Sequence, residues 1–358
     1  MKRVKLEDIC SNASSNISQK DIETIEGDYP IYGASGFIKN INFYKFDKES
    51  IAIVKDGSGI GRTMILPKKS SVIGTMQYII PNENVDIKYL YYAIKSLDLT
   101  KYKTGVAIPH IYFKDYKKEE IWLPDINEQK RVAKILDIIQ NIIELRKKQI
   151  QELEEVAKAK FVEMFDSCKN VDFIGNRMEI SRGASPRPIS KFITENSEGI
   201  NWIKISDTSL NSKYIESTKE KITIEGAKRS KFVKYGDFIL SNSMSFGRPY
   251  ILKINGCVHD GWLIMSKFED SFDPLFLYYA IRDNEVQKQF LAKVNGVTVK
   301  NLNSKLVKET YIKVPEINKQ KQYSDIVKII DKQKFEIERR LNETTNLQSS
   351  LMAQYFGG

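Results

Sequence analysis

Apolar positions follow two different periods along this chain, and the change of period marks its parts. From about Asn127 to Phe165 there is no Gly or Pro, and apolar side chains return on a heptad frame. Val132, Ile139 and Leu153 form one row. Ile135/Leu136, Ile142/Ile143, Ile150 and Val156/Ala157 form its neighbour, with Arg146 and Lys160 interrupting the first row. A stretch beginning at Asn318 keeps the same phase, with Tyr323, Ile330, Ile337 and Leu351 beside Ile326/Val327, Leu341, Leu347 and Tyr355. Apolar seams between charged flanks predict two long amphipathic helices that pack on one another. Asn127 and Asn318, each after a Pro-acid-Ile stop, are the expected N-caps. A helix of about 39 residues is about 58 Å long, more than a small domain can cover, so the two are expected to pair. An antiparallel pair with a globular unit at either end is the economical path for the chain.

Outside these stretches the pattern shortens. Ile51-Ala52-Ile53-Val54 and Asp237-Phe238-Ile239-Leu240 predict buried strands, each followed by a Gly/Ser/Asn-rich loop. Ile87–Leu97 and Pro274–Arg282 predict short helices with aromatic faces. Gly105-Val106 and Gly296-Val297 each precede a strand that runs to a proline. The fold class is therefore α+β, with mixed strands and helices in the globular parts. The expected domains are 1–126, a helix over 127–166, 167–317 and a helix over 318–358.

These parts are two copies of one unit. Residues 105–165 and 296–356 align without a gap at an offset of 191, with 15 identities in 61 positions, where ordinary composition gives about 4. Pro124-Asp125-Ile126-Asn127-Glu128-Gln129-Lys130 is answered by Pro315-Glu316-Ile317-Asn318-Lys319-Gln320-Lys321. Leu90-Tyr91-Tyr92-Ala93-Ile94 returns as Leu277-Tyr278-Tyr279-Ala280-Ile281, and Gly61-Arg62 as Gly247-Arg248. A tandem duplication implies two similar units related by a pseudo-twofold axis, suited to a target with two halves.

Composition narrows the partner more than the chemistry. The net charge is +10 and favours a polyanion. The excess lies mostly in residues 166–317, with 23 Lys+Arg against 18 Asp+Glu, whereas 1–126 holds 18 against 16. The helical segments are nearly balanced, which fits globular units that touch nucleic acid and helices that touch protein. No apolar run approaches a membrane span, and three scattered cysteines point to a reducing cytoplasm.

Motifs for catalysis are absent from this pattern. Gly57-Ser58-Gly59-Ile60-Gly61-Arg62 imitates a nucleotide loop, but a phosphate cradle needs a helix directly after it, and Thr63–Leu66 reads as a strand. The loop reads better as a tight turn whose small residues admit a polynucleotide, with Arg62 and Arg248 reaching a phosphate or a guanine edge. Pro124-Asp125 with Glu128 and Lys130 imitates a nuclease set, but Lys319 replaces the glutamate in the second copy, so it reads as a helix entry. His110 and His259 have no partner at ligand spacing. Tyr32, Tyr78, Tyr112, Trp202 and Trp262 sit beside polar residues and are candidates to pack on sugars or bases.

Duplicated units, each ended by Pro-x-Ile-x-x-Gln-Lys and a long helix, resemble the specificity subunit of type I restriction–modification systems. Tyr29-Pro30-Ile31-Tyr32-Gly33-Ala34-Ser35-Gly36, Arg182-Gly183-Ala184-Ser185-Pro186-Arg187 and Gly236-Asp237-Phe238-Ile239-Leu240 add to the resemblance. It implies two target recognition domains, each reading one half of a split double-stranded DNA site. It also implies helices that space the domains and dock two adenine-N6 methyltransferase subunits, with restriction subunits joining them. S-adenosylmethionine, ATP and Mg would belong to those partners, with no cofactor or metal and no catalysis on this chain. Candidate DNA contacts are Tyr32, Ser35, Lys55, Ser58, Arg62, Gln77, Lys103, Thr104 and His110 in the first unit. In the second they are Arg187, Lys204, Asn242, Ser243, Ser245, Arg248, Trp262, Asn295 and Thr298. Helix-pairing and partner-binding candidates are Gln129, Val132, Ile135, Ile139 and Ile142, with Gln320, Tyr323, Ile326, Ile330 and Ile337. The rival readings are a recognition subunit of a methyltransferase-only complex, a coiled-coil adaptor that binds proteins, and a nucleic-acid enzyme with an unrecognised site.

Overall fold

The computed structural model describes residues 2–105, 108–209, 212–242, 247–295 and 301–357, with 293–295 described by backbone alone. It divides into two compact units, Met1–Gln149 with Ile337–Gly358, and Ile150–Glu336. Each unit thus holds one globular part together with a portion of both long helices.

In the first unit the strand Ser50–Val54 is buried along its whole length, and its period of two divides its side chains between two cores. Ile51 and Ile53 join Ile79 against Leu90, Ala93 and Ile94 of the helix Ile87–Ser96. Ala52 and Val54 join Leu66, Val72, Met76 and Tyr78 in the other core. The sheet is antiparallel throughout, in the order Cys10–Ser14, Met76–Pro81, Ser50–Val54, Thr63–Leu66. A smaller sheet joins Gly36–Ile41, Tyr29–Gly33 and Ser71–Val72.

The second unit repeats the plan with wider sheets. Phe238–Ser241 is the middle strand of five, ordered Glu179–Arg182, Trp262–Ser266, Phe238–Ser241, Pro249–Leu252, Tyr214–Ile215. Phe238 and Leu240 share a core with the helix Pro274–Arg282, and Ile239 shares another with Val258 and Trp262. A further sheet contains Ile193–Thr194, Glu220–Ile222, Ile200–Ile203, Gly256–Val258 and Lys231–Val233. The predicted strands and short helices are thus present with small shifts at their ends. The strands that reach the two prolines, Glu120–Leu123 and Tyr311–Lys313, pair with Lys2–Lys5 and Val171–Phe173. Each is preceded by a short helix, Phe113–Tyr116 or Ser304–Lys308, that the apolar pattern does not reveal.

The long helices run from Ile126 to Phe165 and from Ile317 to Phe356. They begin one residue before the expected caps. The Asp125 carboxylate accepts the amides of Asn127 and Glu128 at 3.0 and 3.1 Å, so Asp125, and not Asn127, closes the first helix N-terminus. In the second, the Gln320 amide already reaches the Glu316 carbonyl, so Asn318 is likewise inside the helix.

Within each unit the two helices pair antiparallel. In the first unit Gln140 is bonded to Gln348, and Arg146 reaches the Arg340 carbonyl and the Thr344 hydroxyl, so one number rises as the other falls. Leu351, Met352, Tyr355 and Phe356 cover Val132, Ala133 and Leu136. In the second unit the Tyr323 hydroxyl donates to the Ala157 carbonyl at 3.0 Å, and Phe161 and Phe165 pack edge-on against its ring. Val156 and Leu347, read as seam positions, are exposed; Ala157 is the inward residue of its pair, because the helical turn carries its neighbour to the outer face.

The repeated glutamine is a latch. Gln129 Oε1 accepts the amide of Asp86, which caps the helix Ile87–Ser96, at 2.8 Å, and Gln129 Nε2 donates to the Pro124 carbonyl at 2.9 Å. Gln320 does the same in the second unit, to the amide of the capping Asp273 at 2.9 Å and to the Pro315 carbonyl at 2.8 Å. Both side chains are buried, so each satisfies backbone groups that water cannot reach. Gln129 and Gln320, which the sequence placed among helix-pairing and partner-binding candidates, therefore hold the chain to itself.

The second unit adds a partly buried ionic cluster. Glu154 is bonded to Lys334 at 3.0 Å and to Arg282 at 2.8 Å, and Lys213 to Asp331 at 2.7 Å. Burial alone would raise the Glu154 carboxyl, but Lys334 and then Arg282 outweigh it and hold it below the usual carboxylate range. Burial pulls the Lys213 ammonium down despite Asp331.

Two outcomes are expected. Gln320→Leu leaves the Asp273 amide and the Pro315 carbonyl without their buried partner, at a cost of about 2 kcal/mol. Hydrogen exchange should then speed up over Pro274–Arg282. A carboxylate depressed by folding stabilises above its unfolded pKa and loses that contribution as pH falls through its folded value. Glu154→Gln should therefore differ most from the parent protein at neutral pH, with the gap starting to shrink near about pH 4, where unfolded carboxylates titrate, and closing as pH falls on through the lower folded value. Chemical denaturation across that range reads the difference.

Candidate nucleic-acid interface

In the first unit the Gly-rich loop is a turn between the antiparallel strands Ser50–Val54 and Thr63–Leu66. It closes with the Gly61 amide on the Val54 carbonyl and the Val54 amide on the Arg62 carbonyl, both at 2.9 Å. Gly57 and Gly61 have φ of +93° and +82°, which favour glycine. At Gly59 the Arg62 guanidinium folds over the loop, 2.6 Å from where a Cβ would lie, so a side chain there would displace the arginine. Arg62 Nη1 donates to the Ala34 carbonyl at 3.3 Å, beside Ser35 on the tip of the hairpin Tyr29–Ile41.

Next to this turn the chain forms a cleft of about 760 Å³, lined by Gly57, Ser58, Thr100, Lys103, Ile108 and Pro109. Lys55 and His110 meet on Asp56 at its edge, at 3.4 and 2.7 Å. Thr104 and His110 exchange backbone hydrogen bonds, and the His110 ring lies parallel to Tyr112. The structure thus brings together Lys55, Ser58, Lys103, Thr104 and His110. Tyr32 packs edge-on against the exposed Phe37.

The second unit has a cleft of about 570 Å³ that includes Ser185, Arg187, Trp202, Lys204, Glu220 and Asp260. Lys204 is paired with Glu220, and Arg187 Nη2 stands 3.4 Å from Asp260 Oδ2. The Ser185 hydroxyl, followed by Arg182 and His259, holds the Asp260 carboxyl below the usual range. His259 lies partly buried against it, and burial lowers its pKa.

Four candidates are placed elsewhere, and the first, Tyr78, is buried in the core with its hydroxyl accepting the Val72 amide at 2.8 Å. Gln77 is buried and bonded to the Tyr116 hydroxyl. Trp262 is fully buried, its indole N–H donating to the Ile203 carbonyl at 3.1 Å. Gln77 and Trp262 lie on strands flanked on each side in their sheets, which keeps both side chains from the surface. Asn242 is buried as well and donates through Nδ2 to the Asp260 carbonyl at 2.9 Å. Arg248 is half-buried, with Nη1 buried and unpartnered among the described residues. Ser243, Ser245 and Thr298 lie outside the described residues, as does the side chain of Asn295. The residues missed in the sequence are Asp56 and Asp260, the hubs of the two sites. Each begins an Asp-Gly step at a strand end, a turn signal that places a carboxylate at a loop edge.

On the helices Val132, Ile139, Tyr323 and Ile330 are buried, while Ile135, Ile142, Ile326 and Ile337 are half-buried. The outer face carries a second set. Ile138, Val156, Ile329 and Leu347 are each at least 49% exposed. Ile138 and Ile329 are equivalent positions of the repeat, as are Val156 and Leu347. Each unit therefore displays one member of each equivalent pair.

The sequence matches the family described as the Type I restriction modification DNA specificity domain over residues 1–155 and again over 174–346. The chain belongs to this family. It is 25% identical over 375 residues to the type I restriction enzyme MjaVIII specificity subunit of Methanocaldococcus jannaschii, spanning 91% of this chain and 86% of that protein. It is 32% identical over 121 residues to the EcoR124I/EcoR124II specificity subunit of Escherichia coli, across 28% of this chain and 30% of that one. Its fold is shared with the crystal structure of the type I S subunit from M. genitalium, at a TM-score of 0.64 and 16% identity over 99% of this chain and 96% of that one. A chain from a structural study of type I R-M assembly and conformational transition matches at 0.58 and 15%, over 100% and 97%. The chain is thus a type I specificity subunit with two recognition domains, one per repeat. Among its described residues no helix is long and apolar enough to cross a membrane, and no three His, Cys, Asp or Glu side chains gather as a metal site would need.

The buried and exposed candidates should separate experimentally. Trp262→Ala removes a fully buried ring, at a cost of about 3–5 kcal/mol. Thermal unfolding should register it as a loss of the second recognition domain's stability. Lys103→Ala, at the rim of the first cleft, should leave unfolding unchanged.

Proposed function

We propose that each recognition domain of this specificity subunit reads one half of a split double-stranded DNA site. The paired helices fix the interval between the halves and dock two adenine-N6 methyltransferase subunits, through which restriction subunits join. The chain itself is non-catalytic, and S-adenosylmethionine, ATP and Mg act in the partner chains on DNA in the cytoplasm. The observation that carries this reading is the repetition of Ile138 and Leu347 of the first unit as Ile329 and Val156 of the second. Apolar side chains held on the outer face of a paired helix serve a partner, and equivalent positions call for two copies of the same one. The clefts support the DNA reading, since each unit gathers Lys or Arg, hydroxyl and carboxylate groups beside small-residue turns.

Two measurements test the proposal. Ile138→Asp and Ile329→Asp together should abolish methyltransferase binding in co-purification, and either alone should leave one copy bound. Four residues inserted in register into each long helix lengthen it by about 6 Å, or about two base pairs of DNA. Methylome mapping should then show a wider gap between unchanged half-sites. Full partner binding by the double variant or an unaltered gap would count against the corresponding part of the reading.

A further inference from the structure

We propose that Arg187 reads a guanine in the half-site addressed by the second recognition domain, with Asp260 as the positioning residue that aims it. This rests on the DNA-reading role proposed above and deepens it. Asp260 is fixed on several sides. Its carboxylate takes the Ser185 hydroxyl at 2.7 Å, and its carbonyl accepts Asn242 Nδ2 at 2.9 Å and Arg182 Nε at 2.8 Å. Asn242 is buried beyond the end of the central strand Phe238–Ser241, so the carboxylate is held by the core of the domain and not by a free loop. Arg187 meets this anchor through one Nη2 contact at 3.4 Å while its side chain remains 82% exposed. An arginine has five N–H donors, and Asp260 engages one nitrogen, which leaves the rest for a ligand.

The ligand chemistry follows from charge and shape. Both cations that line this cleft face carboxylates, Lys204 with Glu220 and Arg187 with Asp260, whose Oδ2 it shares with Arg182 at 3.9 Å. A compensated cation attracts a phosphate weakly but keeps its directional donors. Guanine O6 and N7 offer two acceptors side by side in the major groove, the pattern that an arginine fork fits. Holding the fork in place before binding reduces the ordering cost of that contact. Asp260 therefore turns a surface arginine into a reading group.

The test uses the full chain co-produced with its methyltransferase partner, with genomic adenine methylation mapped for the parent, Arg187→Ala, Arg187→Lys and Asp260→Asn. The parent is expected to mark a two-part motif. Arg187→Ala and Asp260→Asn should each relax one G·C position by about tenfold to a hundredfold in one half-site, with the other half-site unchanged. Arg187→Lys should not restore it, because a point charge lacks the fork. Arg187→Ala marking the same motif with the same selectivity would overturn the proposal. So would an equal loss at every sequence, which is how a phosphate contact behaves. A parent complex that marks no two-part motif would sink the split-site reading, and this proposal with it.

Discussion

A helix of forty residues with an apolar stripe along it has to be covered everywhere, and no single small domain can do so. In this chain the cover comes from two sources in each unit, the other long helix and the short aromatic helix Ile87–Ser96 or Pro274–Arg282. Tyr89 and Tyr92 lie on Val132 and Leu136 in the first unit, and Phe276 and Tyr279 lie beside Phe161 and Tyr323 in the second. The buried glutamines make that packing directional. By bonding the cap of the short helix to the start of the long one, Gln129 and Gln320 fix how each helix leaves its recognition domain. A rotation of the long helix would strand an amide donor and a carbonyl away from water, which costs more than the weak preferences of apolar packing.

On this shared frame the two units diverge where charge is buried. Asp331 and Glu154 are central to the ionic cluster of the second unit, and their repeat equivalents are the uncharged Gln140 and Thr345. The first unit instead joins Lys88 and the Tyr92 hydroxyl to Asp137 on the long helix. Buried ion pairs contribute little net stability, but a displaced partner leaves a charge uncompensated, so such clusters penalise wrong arrangements more than they strengthen the right one. The clefts diverge as well, one beside Asp56 with Lys55 and His110, the other built on Asp260 with Arg182 and Arg187. Duplication kept the entry into the helix and left the two clefts free to change.

The architecture was legible in the chain because it rests on periodicity and repetition. A heptad seam without Gly or Pro, repeated at a fixed offset, determines two helices that need each other, and the alternating runs at Ile51–Val54 and Phe238–Leu240 determine the central strands. The cap at Asp125, one step before the expected Asn127, shows the limit of that reading, since either residue type can accept an amide and only backbone geometry selects one. What the tertiary structure alone decided is which polar residues face inward. Gln77, Asn242, Trp262 and the two latch glutamines look like surface groups in the sequence because they are polar or have polar neighbours. Burial depends on the strands and helices laid over them, contacts between residues far apart in the chain, and no local pattern encodes those.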